Sequence, residues 1–410
     1  MKKLSFFLLL YFCLQLATEG SVADSVAHNK AKEIIGAVQK KYAPDKRTAF
    51  FHTEIQAGTP LIIQVETTEI NAITELKALF KQEQLPVELQ EKRLPDQELG
   101  EDVYGIANLS VCNNRVMPGH PAEMATQTLL GTPVQIIKAE RRYYLVRTPD
   151  NYISWTEASG ISRMNEATFQ KWQAANKLVF IQQFGQAYTQ PSEKSLPVSD
   201  LVKGNILQVS GKEKKFYKVT FPDNRIGYIP IKNTAPYAKW VSQPSPNAEQ
   251  ILNTGKTLLG VPYLWGGTST KGVDCSGFTK SCYFLNGIII PRDASQQALV
   301  GEQVDIYEHD TISIAKSLQN LKPGDLLFFA ASKNRSANPR VTHTAIYMGS
   351  GEFIQSSGLV RINSLVAGAS HYDEFEAKTL VSARRMLTAI GTPEISRLDQ
   401  HPLYKIIKTE

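Results

Sequence analysis

Apolar residues change their spacing several times along the chain, and each change predicts a different kind of element. Lys2 and Lys3 precede an apolar run over 4–16, followed by small and polar residues over 17–25. This order is that of a secretory signal peptide over residues 1–23, and the run is short for a membrane span. Cys13 lies inside the run between bulky neighbours, which disfavours a lipid-attachment site. From 24 to 105 the apolar spacing is helical. Segments 33–41 and 70–84 carry it, and Ile73, Leu76, Leu79 and Phe80 share one helix face, so a helical N-terminal extension is predicted.

Beyond it the period shortens toward that of strands, and the pattern repeats. Tyr143-Tyr144-Leu145-Val146-Arg147-Thr148-Pro149-Asp150-Asn151 aligns with Phe216-Tyr217-Lys218-Val219-Thr220-Phe221-Pro222-Asp223-Asn224 at an offset of 73 residues. Gly131 meets Gly204 and Gln135 meets Gln208 at the same offset. Two small tandem β-barrels follow from this, each with a Pro-Asp-Asn turn. Gln243-Pro244-Ser245-Pro246-Asn247 marks a linker. The remainder reads as a helix over 248–259 and strands near 326–329, 344–348, 353–355 and 379–383, an α+β order. Residues 391–410 read as a short tail.

With 410 residues, 42% hydrophobic and 20% charged, the chain is globular and multidomain rather than disordered. The net charge of +6 is dispersed and forms no dense basic block, so nucleic acid is not an expected partner. Three cysteines remain after the signal segment: Cys112, Cys275 and Cys282. On one helix, Cys275 and Cys282 stand roughly 10 Å apart, out of disulfide reach. A reduced thiol in an exported chain points to chemistry at Cys275, while Cys112 and Cys282 read as buried apolar residues.

Cys275 opens a predicted helix in Val273-Asp274-Cys275-Ser276-Gly277-Phe278. There the helix dipole and unpaired backbone N–H groups favour a thiolate. His343 follows 68 residues later in Val341-Thr342-His343-Thr344-Ala345 and is the candidate base. Gln355, on the next predicted strand, can lie beside His343 and hold its ring. No His/Cys/Asp cluster has metal-ligand spacing, so neither a metal nor another cofactor is expected.

Five ordered motifs carry a resemblance. Pro262-Tyr263-Leu264-Trp265-Gly266-Gly267, Asp274-Cys275-Ser276-Gly277-Phe278, Pro291-Arg292-Asp293-Ala294-Ser295-Gln296-Gln297, Leu321-Lys322-Pro323-Gly324-Asp325 and His343-Thr344-Ala345-Ile346-Tyr347 resemble the NlpC/P60 cell-wall peptidases. The two repeats resemble bacterial SH3 domains. The resemblance implies an α+β, papain-like NlpC/P60 catalytic domain (248–390). Before it come two SH3-like β-barrels (106–170 and 171–241) and the helical N-terminal segment (24–105). It implies Cys275 as nucleophile, His343 as base and Gln355 as orienter, where relatives often carry His in the third place. The backbone N–H of Cys275 and a donor near Tyr263 are the implied oxyanion site.

More narrowly, the arrangement resembles the γ-D-glutamyl-L-diamino acid endopeptidases. In that branch the free amine of L-Ala-γ-D-Glu-diamino acid peptides is held by acidic and aromatic residues. The resemblance assigns those roles to Glu123, to Trp155 or Tyr152, and to Asp274, with Asp293, Ser295, Ser276 and Tyr263 lining the cleft. The substrate so implied is a murein stem peptide. The protein is expected to be exported, periplasmic or secreted, without stable membrane insertion. Competing expectations are an amidase or acyltransferase of the same fold on another substrate, indifferent to Glu123, and a murein-binding protein with vestigial catalysis.

Overall fold

A computed structural model of the chain describes residues 25–243, 246–332 and 339–407. The expected signal segment 1–23 and two linker residues, Pro244 and Ser245, lie outside them. The chain divides into two compact units at Gly100.

The N-terminal unit holds both expected helices, over 25–42 and Ile70–Gln82. It is not simply helical, however. Strands Phe51–Gln56, Leu61–Thr67 and Val87–Arg93 form a three-stranded sheet, with the central strand antiparallel to the first and parallel to the third. Leu61, Ile63 and Val65 alternate inward and pack against Ile34, Ile35, Val38, Ile73, Leu76 and Phe80 of the helices. The sequence reading followed the period of 3.6 on either side and passed over the period of two between them. A lone helix of the length of Ile70–Gln82 is marginal in water. Burying Leu76, Ile73 and Phe80 on a sheet is what fixes it.

The second unit begins with two seven-stranded sheets. The first runs Ile161–Met164, Tyr104–Ala107, Pro133–Glu140, Tyr143–Arg147, Ile153–Glu157, Val111–Arg115, Met124–Leu129. The second runs Thr234–Pro236, Lys177–Phe180, Ile206–Glu213, Phe216–Thr220, Ile226–Pro230, Phe184–Tyr188, Pro197–Val202. Every strand of the second begins 73 residues after its counterpart, so the repeat is one of topology. A register shift recurs between Ile136 and Lys138 and between Val209 and Gly211. In the Pro-Asp-Asn turns, Asn151 and Asn224 both take positive φ, 61° and 69°, which asparagine tolerates better than most residues. The expected closed barrels are not found. Both sheets remain open, because the strands at the two ends of each do not pair with each other.

The rest of the unit is α+β. An antiparallel six-stranded sheet is ordered Glu302–Gln303, Leu380–Arg385, Leu326–Phe329, His343–Gly349, Glu352–Ser357, Leu359–Ser364. Alternate residues of its strands feed two cores. Leu326, Phe328, Ile346 and Ile354 meet Phe278, Cys282 and Tyr283 of the helix Cys275–Phe284. Leu327, Phe329, Ala345, Tyr347 and Phe353 meet Ile306, Leu321 and Leu380 on the other face. The segment expected to be a tail is anchored through residue 404. Ser396–Arg397 pairs with Ile288–Ile289, and the Tyr404 carbonyl accepts a 2.7 Å bond from the Tyr237 hydroxyl. Its mixed polar sequence gave no period, because only Ile395, Leu398 and Tyr404 are buried among its apolar residues.

Candidate active site

Cys275 is the first residue of the helix Cys275–Phe284. Asp274 caps that helix, its Oδ1 accepting from the Gly277 N–H at 2.6 Å. Gly277 is required at its position, since a Cβ there would lie 1.9 Å from the Gly267 carbonyl oxygen. The glycine motif and the helix start are therefore packed backbone to backbone. The backbone N–H groups of Ser276 and Thr344 face the Cys275 sulfur. This brings the thiol to the start of the strand His343–Gly349, one residue from His343. Burial nonetheless pushes the thiol up to about 12, and Asp274 adds to the rise; the Ser276 N–H, Arg292 and the Thr344 N–H pull the other way. The helix N-terminus was expected to lower this value. Enclosure opposes that effect of the helix start.

His343 has an organised set of partners. The strands His343–Gly349 and Glu352–Ser357 are antiparallel neighbours, and their register puts His343 and Gln355 on one face, offset diagonally. His343 Nε2 lies 2.5 Å from Gln355 Oε1. The Gln355 amide nitrogen donates to Asn363 Oδ1 at 3.0 Å and to Asp373 Oδ2 at 3.3 Å. A carboxylate oxygen only accepts, so Asp373 fixes which way round the Gln355 amide sits. The amide oxygen then faces His343 and requires Nε2 to carry the proton, leaving Nδ1 as the basic nitrogen. Burial lowers the His343 pKa, while the Gln355 bond and the charges of Asp373 and Asp274 oppose that shift. Glu376 Oε1 lies 3.7 Å from Nε2 as well. Neither Asp373 nor Glu376 belongs to a motif in the sequence, and only the fold brings them here.

Beside Cys275 lies a buried ion pair. Arg292, only 1% exposed, donates to both Asp274 oxygens at 3.1 and 2.6 Å, to Ser276 Oγ at 2.9 Å and to Thr126 Oγ1 at 2.9 Å. Asp274 Oδ2 also accepts from the Gly266 N–H at 2.9 Å. Both Asp274 oxygens are thus engaged. A substrate ammonium that meets Asp274 would share these oxygens with the Arg292 guanidinium. Ser276 is likewise buried and held by the pair. Tyr263 is half-buried, and burial together with the nearby Cys275 and Asp274 raises its pKa.

The first seven-stranded sheet is docked on this loop by its strand Met124–Leu129. Gly266, at φ 77°, lies so close that a Cβ would come within 2.5 Å of the Met124 carbonyl oxygen. Thr268 N–H donates to Gln127 Oε1 at 3.0 Å. Glu123, exposed, accepts a 2.7 Å bond from the Trp265 indole N–H across 142 residues of sequence. Trp265 itself is 60% exposed. The expected aromatic wall, Trp155, is instead buried in Ile153–Glu157, opposite Arg115 and Leu145. Trp265 is the open aromatic surface beside Glu123. The sequence contained it only as part of a motif, without a partner. Tyr152 is buried and donates to Asp293 Oδ2 at 3.2 Å. Asp293 caps the short helix Ala294–Gln297, on which Ser295 is half-buried.

Residues 260–385 match the NlpC/P60 family, and residues 114–161 match the bacterial dipeptidyl-peptidase Sh3 domain. The chain is similar to the γ-D-glutamyl-L-lysine dipeptidyl-peptidase of Bacillus cereus, 30% identical over 251 residues, 57% of this chain and 67% of that protein. It is 36% identical to the enzyme of the same name from Bacillus subtilis, over 41% of this chain and about half (49%) of that protein. The dipeptidyl-peptidase 6 of Lysinibacillus sphaericus is 28% identical, over 67% of this chain and 94% of its own length. A crystal structure of an NlpC/P60 family protein from Bacillus cereus shares the fold, with a TM-score of 0.56 at 23% identity, over 69% of this chain and 99% of that one.

Proposed function

The chain belongs to the NlpC/P60 family, and from that premise we propose that it is an exported cysteine peptidase of murein peptides. Its bond is the one between γ-D-Glu and the diamino acid, in stem peptides with a free N-terminal L-Ala. In the first step the Cys275 thiol gives its proton to His343 Nδ1, and the sulfur attacks the γ-carbonyl carbon. The Cys275 N–H and the Tyr263 hydroxyl are the donors for the resulting oxyanion. Collapse breaks the C–N bond, and the leaving amine takes the proton from His343. Water, activated by the same imidazole, then hydrolyses the thioester and restores the thiol.

The observation that carries the substrate assignment is the Glu123–Trp265 contact. It sets the carboxylate of Glu123, just before the strand Met124–Leu129, at the rim of the loop that leads to Cys275. An ammonium enclosed in a cleft needs such an anionic partner, and Trp265 adds an aromatic face. Asp274, neutralised by Arg292, is assigned to the helix cap rather than to the substrate.

Mass spectrometry of defined peptides tests this. L-Ala-γ-D-Glu-L-Lys and its N-acetylated form are incubated with wild type, Cys275→Ala and Glu123→Gln. We expect cleavage of the free peptide alone, no product with Cys275→Ala, and a loss of at least about tenfold in kcat/KM with Glu123→Gln. Turnover by Cys275→Ala would rule out the cysteine mechanism. Equal cleavage of the acetylated peptide would rule out the amine gate.

A further inference from the structure

Gln355 brings no charge of its own to the catalytic pair, beyond the fields of Asp373 and Asp274 already acting on His343. A neutral amide orients an imidazole, but it does little to stabilise the imidazolium that forms once Cys275 loses its proton. A carboxyl group stands where that deficit arises. Glu376 lies in the helix Glu374–Thr379, 6% exposed, with Oε1 3.7 Å from His343 Nε2. That nitrogen already meets Gln355 Oε1. The helix is held in place by the residue that also orients Gln355. Asp373 caps it through the Glu376 N–H at 3.1 Å and accepts from the Gln355 amide at 3.3 Å. One short segment thus sets both the amide that fixes the ring and the carboxyl that faces it.

We propose that Glu376 is a positioning residue that holds the charged form of His343, supplying the anion that Gln355 lacks. This deepens the peptidase reading and rests on it. The groups facing Glu376 are few. His343 approaches from its strand, Asp373 from the helix cap, Arg361 from the neighbouring strand and the Thr379 hydroxyl from its own helix. Glu374 and Lys378 pair with each other on the exposed side. Burial first, and then Asp373, push the Glu376 carboxyl up to about 7, while Thr379 and Arg361 draw it down. The imidazolium 3.7 Å away favours the ionised carboxyl in turn, so the two groups titrate as a pair. Once ionised, Glu376 makes His343 harder to deprotonate, and because His343 must be neutral to take the Cys275 proton, this raises the acid limb of the activity profile.

The test is the pH dependence of kcat/KM for wild type, Glu376→Gln and Glu376→Asp, together with an NMR titration of the His343 ring in each. In Glu376→Gln the acid limb and the His343 pKa should both fall by about one unit or more. Glu376→Asp should restore part of the shift. An unchanged limb and ring pKa in a folded Glu376→Gln protein would overturn the proposal. If Glu376→Gln fails to fold, Glu376→Asp decides, because an acid limb unmoved from wild type despite the retracted carboxylate would equally overturn it. The ring titration needs no substrate. A wild type that cuts no murein peptide yet shows the shift would overturn the peptidase reading alone.

Discussion

Replacing Arg292 by Met should expose how the site tolerates a carboxylate directly before its nucleophile. The guanidinium is buried and makes four hydrogen bonds, two of them to Asp274. Without it Asp274 keeps only the Gly266 and Gly277 N–H groups and the Ser276 hydroxyl. Removing one partner of a buried pair costs about 3–5 kcal/mol, because the other charge stays behind without compensation. Asp274→Asn alone keeps a good helix cap but strands the guanidinium, so it should cost a similar amount. In the double variant no charge is stranded. Its penalty should fall to about 1–3 kcal/mol, the value of the hydrogen bonds lost by Ser276 and Thr126. The measurement is urea unfolding of all four proteins, read by tryptophan fluorescence and circular dichroism. A parallel assay is the pH dependence of iodoacetamide attack on Cys275. Arg292→Met should slow alkylation near pH 8, since Asp274 opposes the thiolate once its partner is gone, and the double variant should recover most of the rate. Penalties that add within about 0.5 kcal/mol, or an alkylation profile indifferent to Arg292, would refute the reasoning.

Two further outcomes follow from the same electrostatics. Burial would raise the Asp150 carboxyl, but Lys280 on the nucleophile helix, 2.5 Å away, and the Thr148 hydroxyl bring it below its ordinary value. A depressed carboxyl stabilises the fold above its unfolded pKa. Asp150→Asn should therefore cost about 3–5 kcal/mol at pH 7, a loss that shrinks as pH falls through the carboxylate range, checked by unfolding at pH 7 and pH 3.5. Asp373→Asn keeps the helix cap but removes the acceptor-only partner that fixes the Gln355 amide. We expect kcat to drop by at least about tenfold with KM within twofold, measured by steady-state kinetics on the free tripeptide.

Much of the fold was legible where one period dominated a segment. The strands Leu326–Phe329, His343–Gly349, Glu352–Ser357 and Leu380–Arg385 fall close to where apolar runs predicted them. The repeat offset anticipated a strand order that recurs throughout both sheets. The misreadings share a cause. The N-terminal strands, the open ends of the two sheets and the docked tail depend on which distant surface covers an apolar residue, and local spacing carries no record of that. The start of a helix at Cys275 and the pairing of His343 with Gln355 were legible because their sequence neighbours are constrained, as the capping Asp274 and the close-packed Gly277 are.

The sequence by itself carried the repeated topology, the family motifs and the candidates for nucleophile and base. These rest on short-range requirements: a helix start for the thiol, a strand start for the imidazole and turns that only certain residues adopt. The tertiary structure decided which charges act on them. It gave Asp274 to Arg292 and put Trp265 rather than Trp155 against Glu123. It also set Asp373 and Glu376 behind Gln355 and His343. Coulomb energy depends on separation and enclosure in space, and residues 142 positions apart, as Glu123 and Trp265 are, have neither until the chain has folded.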